Sequence, residues 1–179
     1  MARRRSVREY ASRPLALDHL SQILFAAHGI TGPDRMHTAP SAGGVRTLEI
    51  YAIAAKVDGL SAGVYHYGVE QHALNLVTSR DPRRSLRKAC SGQECIAQAP
   101  LVLVISGIPQ RLEETYGDLA DRLMMIEAGH VAQNVYLQCA AENLGTVVVG
   151  AFQERDVSRV LKFGPGQRPL ALMPVGYIT

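Results

Sequence analysis

Apolar positions along the chain change period several times, and each change marks an element. Leu20, Ile23, Leu24 and Ala27 recur at the spacing of one helix face after Leu15. Asp18 is the expected N-cap of this helix and Gly29 its expected stop. Residues 31–44 have little apolar period and hold Pro33, Pro40, Ser41, Gly43 and Gly44, so they read as a long loop. A loop of that length in a compact domain is usually functional or mobile. Leu48 to Ala55 predicts a buried strand. Gly63 to Tyr67 and His72 to Val77 predict a hairpin around Gly68 to Gln71. Arg83 to Cys90 reads as a helix, followed by a short one ending near Ala97. Leu101 to Ser106 is a continuous apolar, β-branched run, the pattern of a strand covered on both faces.

The dominant predicted helix runs roughly from Asp118 to Asn143, with Gly145 as its stop signal. Met124, Ala128, Val131, Val135 and Cys139 form one stripe on it. Leu123, Ile126, His130, Asn134, Leu137 and Ala141 form a second. A helix with two apolar stripes must be covered on two sides, and in a domain this small the second cover is expected from a partner subunit. Thr146 to Val149 predicts a short strand, Asp156 to Leu161 a short helix, and Leu170 to Gly176 a last strand. No repeat, low-complexity tract or linker divides residues 1–179. The expectation is one α+β domain with a mostly antiparallel sheet flanked by helices.

Composition narrows the function classes. The chain has 179 residues, 47% of them apolar and 20% charged, enough for a core without disulfides. Nineteen basic against 16 acidic residues leave a net charge of +3, too little by itself for a nucleic-acid binder. No stretch reaches the ~18 uninterrupted apolar residues of a membrane span. No apolar segment follows the basic Met1–Arg5, so no export signal is expected. Cys90, Cys95 and Cys139 are an odd count and read as reduced thiols of a cytoplasmic protein.

Three segments could carry chemistry. Arg3-Arg4-Arg5-Ser6-Val7-Arg8 sets four guanidinium forks and a hydroxyl within six residues, a donor set suited to phosphate oxygens. The competing reading is a solvated basic tail. Pro40-Ser41-Ala42-Gly43-Gly44 would let a backbone approach a flat ring or a phosphate, and would equally suit an ordinary turn. It lacks the spacing of a P-loop and the context of a dinucleotide-binding turn. Val148-Val149-Gly150-Ala151-Phe152 could present strand-end amides to a ligand heteroatom, or simply end a strand. Metal signals are poor. Cys90-x4-Cys95 has no second pair, and Glu127-x-x-His130 is half of a di-iron motif without its other half, so no metal is expected and His130 reads as a packing or interface residue. No Gly-x-Ser-x-Gly elbow is present.

In order, these segments resemble the nitroreductase-like flavoprotein family, and within it the SagB-type dehydrogenase branch. The resemblance rests on Arg4-Arg5-Ser6-x-Arg8, the helix Leu20–Ala27, Pro40-Ser41-Ala42-Gly43, Gly63-Val64-Tyr65-His66-Tyr67 and Glu127–Asn134. Leu144-Gly145-Thr146 through Phe152, and Pro174-Val175-Gly176, complete it. It implies a tight homodimer with the long helix at the interface, FMN between the subunits, and ping-pong electron transfer. The expected donor is NAD(P)H and the expected acceptor a small conjugated molecule, a nitro compound or quinone. No nucleic acid or membrane takes part. By motif, Arg4, Arg5, Ser6 and Arg8 hold the phosphate and ribityl chain. Pro40, Ser41, Ala42 and Gly43 line the ring from the other subunit, and the Gly150 and Ala151 amides lie at its N5 edge. The chemistry then belongs to the flavin and no acid–base dyad is required. Azoline-oxidising members of the branch carry a basic residue before a tyrosine ahead of the long helix. Here Thr115 stands in that place, which argues against azole formation and leaves Tyr116 as a candidate proton donor. The alternatives are a SagB-type dehydrogenase of a peptide or heterocycle, and a flavin-binding module without turnover.

Overall fold

Alternation along the strands sorts the buried side chains into two cores. In the strand Leu101–Gly107, Leu101, Leu103 and Ile105 enter one core while Val102 and Val104 enter the other. All seven of its residues are buried, as its apolar run predicts. The computed structural model describes residues 1–179. Its elements are α1 (Leu17–His28), β1 (Ile30–Thr31), β2 (Met36–His37), β3 (Leu48–Ala54), β4 (Gly63–Gly68) and β5 (Ala73–Thr78). They continue with α2 (Arg83–Ala89), α3 (Glu94–Gln98), β6 (Leu101–Gly107), α4 (Gln110–Tyr116), α5 (Ala120–Ala141), β7 (Leu144–Thr146), α6 (Glu154–Leu161) and β8 (Arg168–Tyr177).

Six strands form one antiparallel sheet in the order β5-β4-β3-β6-β8-β7. The larger core lies between this sheet and α1 with α5; α2, α3 and α6 close the smaller core. The first α5 stripe is buried throughout: Met124, Ala128, Val131, Val135 and Cys139. On the second stripe Ile126 is 48% exposed, and Leu119 and Met125 beside it are 51% and 53% exposed. Within one chain α5 is thus covered on one side only.

Five expectations need correction. The N-cap of α1 is Ala16, not Asp18, which lies inside the first turn where a carboxylate suits the helix dipole. The loop 31–44 is not structureless: β1 and β2 pair within it, and a 3-10 turn spans Ala42–Gly44. Asp118 does not begin the long helix. Gly117, at φ 50°, breaks the chain between α4 and a 3-10 turn at Gly117–Leu119, and α5 starts at Ala120. The α5 terminus uses Asn143, at φ 58°, as its left-handed residue, which frees Gly145 to enter β7. The seventh strand is therefore Leu144–Thr146 rather than Thr146–Val149; beyond it only Val149 bridges back, to Leu172.

Candidate functional site

The long helix organises the site through two polar side chains on opposite sides. Glu127 and Tyr136 lie nine residues apart, which places them about 180° apart around the helix and about 14 Å along it. Each grips one of the segments singled out in the sequence.

Tyr136 grips the arginine segment. Its hydroxyl lies 3.1 Å from Ser6 Oγ and accepts the Val148 amide at 2.9 Å. The Arg4 guanidinium stands 5.0 Å over its ring. Ser6 bridges to Thr146 and the Val7 amide donates to the Thr146 carbonyl at 2.9 Å, so the segment runs as an added edge beside β7. Gly145 permits this approach: a Cβ there would come within 2.6 Å of the Val7 side chain. Farther along, the Tyr10 hydroxyl donates to the Val7 carbonyl at 2.8 Å and anchors the segment to the fold. Arg5 donates to the carbonyls of Ala2 and Arg4. Arg8 lines a cleft with Glu94, Cys95 and Gln98. None of Arg3, Arg4, Arg5 and Arg8 forms an ion pair with a carboxylate. Four cations without an ion-pair partner, on a segment tied to the fold through Ser6, Val7 and Tyr10, differ from a loose basic tail and leave positive charge beside β7.

Glu127 grips the Pro40–Gly43 segment. It is 2% exposed, and its Oε2 accepts from Ser41 Oγ at 3.0 Å and from Thr47 Oγ1 at 3.1 Å. Its Oε1 is buried without a partner. Burial pushes this carboxyl above the ordinary carboxylate range, and the two hydroxyl donors pull it back only in part. Two turns along the same α5 face, Asn134 Nδ2 donates to the Thr38 carbonyl at 3.1 Å. Gly43 takes φ 58°, and a Cβ on it would meet the Tyr116 hydroxyl at 2.7 Å. Tyr116, at the end of α4, therefore lies against the glycine of this segment. His130, one turn beyond Glu127 on α5, is exposed, and no group of three or more metal-ligating side chains comes together anywhere in the chain.

Gly150 and Ala151 follow β7, both exposed, and neither amide bonds within the chain. Gly150 borders a cleft of about 470 Å³ shared with Arg122 and Met125 of α5, Phe152 and Leu170. Cys90, Cys95 and Cys139 are all buried free thiols. Burial raises each, Cys90 to about 11, so none is a reactive thiolate near neutrality.

The structure thus brings Arg4 and Ser6 together with Val148 on one side of α5. Ser41 and Gly43 gather with Tyr116 on the other. It does not bring the two groups together within one chain. Sequence reasoning missed Tyr136 as the link; its partners lie 130 and 12 residues away, and no local spacing marks it. Glu127 did carry a signal: it lies at i+3 to Met124 and i−4 to Val131, so a charged residue falls beside the buried stripe.

A model of the nitroreductase family matches residues 1–177. The chain belongs to the nitroreductase family. This makes it an oxidoreductase of nitroreductase type. A Methanocaldococcus jannaschii protein that bears a nitroreductase name is 45% identical over 176 residues, covering 98% of this chain and 88% of that protein. A crystal structure from Ralstonia eutropha JMP134, likewise described as a nitroreductase, is 30% identical with a TM-score of 0.87, over 99% of this chain and 80% of that one. The NADPH:FMN oxidoreductase of Vibrio harveyi, solved with NAD+, shares the fold at 19% identity and a TM-score of 0.69, over 97% of this chain and 64% of that one. FMN, the cofactor expected from the sequence, accords with membership of this family. No helix of this nitroreductase is long and apolar enough to cross a membrane.

Proposed function

We infer that residues 1–179 are a single FMN-binding domain that works as a homodimer in the cytoplasm, passing electrons from NAD(P)H to a small conjugated acceptor, a nitro compound or quinone, in a ping-pong cycle. One observation carries this reading. The phosphate-type donors and the close-approach loop lie on opposite sides of α5, so one copy of the chain supplies two halves of a site that do not face each other. A second copy packed on the exposed α5 face supplies the missing half to each.

The donor set fits FMN. Arg4 and Arg8 form no ion pair with a carboxylate, Ser6 adds a hydroxyl, and the Gly150 and Ala151 amides are unengaged, as acceptors at a phosphate and at a ring edge require. Arg4, Arg5, Ser6 and Arg8 hold the phosphate and ribityl chain. Pro40, Ser41, Ala42 and Gly43 of one subunit line the ring held by the other, with the missing Gly43 Cβ making room for Tyr116 beside it. FMN supplies the hydride chemistry when bound. The chain orients it and excludes water, and the Tyr116 hydroxyl, beside Gly43, stands where it can give a proton to a reduced acceptor.

The test is an absorbance spectrum of the purified protein during anaerobic addition of NADH or NADPH. Flavin bands that bleach are expected. A protein that gains no flavin absorbance from added FMN overturns the reading, and bands that resist both nicotinamides overturn the electron donor.

A further inference from the structure

The buried carboxyl of Glu127 has no place in the electron transfer itself, yet it sits within the longest helix, two turns from its start. Its Oε2 takes two hydroxyl donors from the segment that follows β2, at 3.0 and 3.1 Å. Ser41 Oγ simultaneously accepts the Arg46 amide at 2.9 Å, so its only proton is committed to Glu127. The segment needs such a hold. Gly43, Gly44 and Arg46 all take positive φ, at 58°, 70° and 61°, and the arginine pays for that conformation without glycine's freedom. Asn134, seven residues on and so on the same helix face, holds Thr38 at the other end. Residues 38–47 are pinned to α5 at both ends, with the ring-lining residues strung between.

We propose that Glu127 is a positioning residue whose ionised carboxylate latches the Ser41 loop in the shape that the neighbouring subunit's flavin requires, and that protonation loosens the latch. The role toward flavin rests on the functional reading above; the latch itself does not. Charge makes both hydroxyl bonds stronger than their neutral counterparts, and a proton on the unpartnered Oε1 removes that charge. The neighbouring groups that bear on this carboxyl are Ser41 and Thr47, which donate to it, and His130 on its own helix. His28 and His37 also titrate near the loop, and a control must hold them constant.

Hydrogen exchange of residues 38–47 tests the latch in protein freed of FMN, expressed as protection factors at pH 7 and at pH 4.5. Wild type is expected to lose protection on acidification. E127Q keeps an acceptor but cannot titrate, and retains both histidines, so its protection is expected to be nearly independent of pH. E127L removes both bonds and is expected to lose about tenfold or more in protection at pH 7. On the holoprotein, FMN Kd is expected to rise in the same order: wild type, then E127Q, then E127L. An acid loss in E127Q equal to that of wild type overturns the proton latch. So does wild-type protection in E127L; if E127L does not fold, the E127Q comparison and S41A decide. Should the exchange results hold while wild type takes up no FMN, the latch stands and the flavin reading falls.

Discussion

Arg4 is fixed on Tyr136 rather than waving in solvent, its guanidinium 5.0 Å above the ring. Most of the entropic cost of ordering a long side chain is therefore already met before an anion arrives. If the phosphate is held as proposed, Arg4→Ala and Arg8→Ala each remove charge-assisted contacts of roughly 1.5–3 kcal/mol and are expected to raise FMN Kd about tenfold to a hundredfold. Flavin fluorescence in the ultrafiltrate measures this directly, and unchanged retention in both variants would show the phosphate to be elsewhere. A different residue contributes to the acid sensitivity of the fold. His28 is 5% exposed, and burial, with His37 next to it at a ring separation of 4.5 Å, lowers its pKa to about 4. Between about pH 6.5 and pH 4 the unfolded chain binds a proton that the folded chain refuses, so stability drops as pH falls through this window. The loss approaches about 3 kcal/mol once both pKa values are passed. Urea midpoints at pH 7 and pH 4 should diverge strongly in wild type and much less in His28→Leu; equal losses would exonerate His28.

At the scale of elements, the site depends on how closely the arginine strand can lie beside β7. Gly145→Ala puts a methyl into the space of the Val7 side chain. Overpacking of this kind costs about 1–3 kcal/mol. The strand that moves away carries Ser6 and Arg4 with it, so weaker FMN retention is expected alongside a lowered Tm. A variant with wild-type retention would mean that β7 gives way instead. The same region marks the boundary of what the sequence could tell. The sheet was legible because β3, β6 and β8 carry apolar runs or alternations that no other element explains. The long helix was legible through the period of Met124, Ala128, Val131 and Val135. Its ends were not, because Gly117 and Asn143 act through backbone dihedrals that composition does not display. Glycine at 145 suggested a helix stop for good local reasons, but tertiary packing against Val7 uses it differently. The proposed site is present in the sequence as three separate segments. What joins them, Tyr136 and Glu127, depends on bonds across 86 and 130 residues, and no local pattern records those.

At the scale of the whole molecule, α5 faces two ways. One side is sealed by the larger core; the other leaves Leu119, Met125 and Ile126 about half exposed, around a Gly129 with nothing near its missing Cβ. A bare glycine flanked by apolar side chains on a helix face lets a second helix approach closely, and exposed apolar patches of this kind mark interfaces. Association through this face also answers the problem that α5 itself creates, since Glu127 and Tyr136 send the two binding segments to opposite sides. Dimerisation and flavin retention should therefore fail together. Ile126→Glu adds a charge that would have to lose its water in a packed interface, at a cost of a few kcal/mol, without touching either binding segment. Sedimentation velocity is expected to show a monomer for this variant, with circular dichroism like that of wild type. The same fractions should have lost FMN, even though Arg4, Ser6 and Ser41 are intact. A monomer that keeps its flavin would mean that one chain completes the site alone, and the division of the site across α5 would lose its functional meaning.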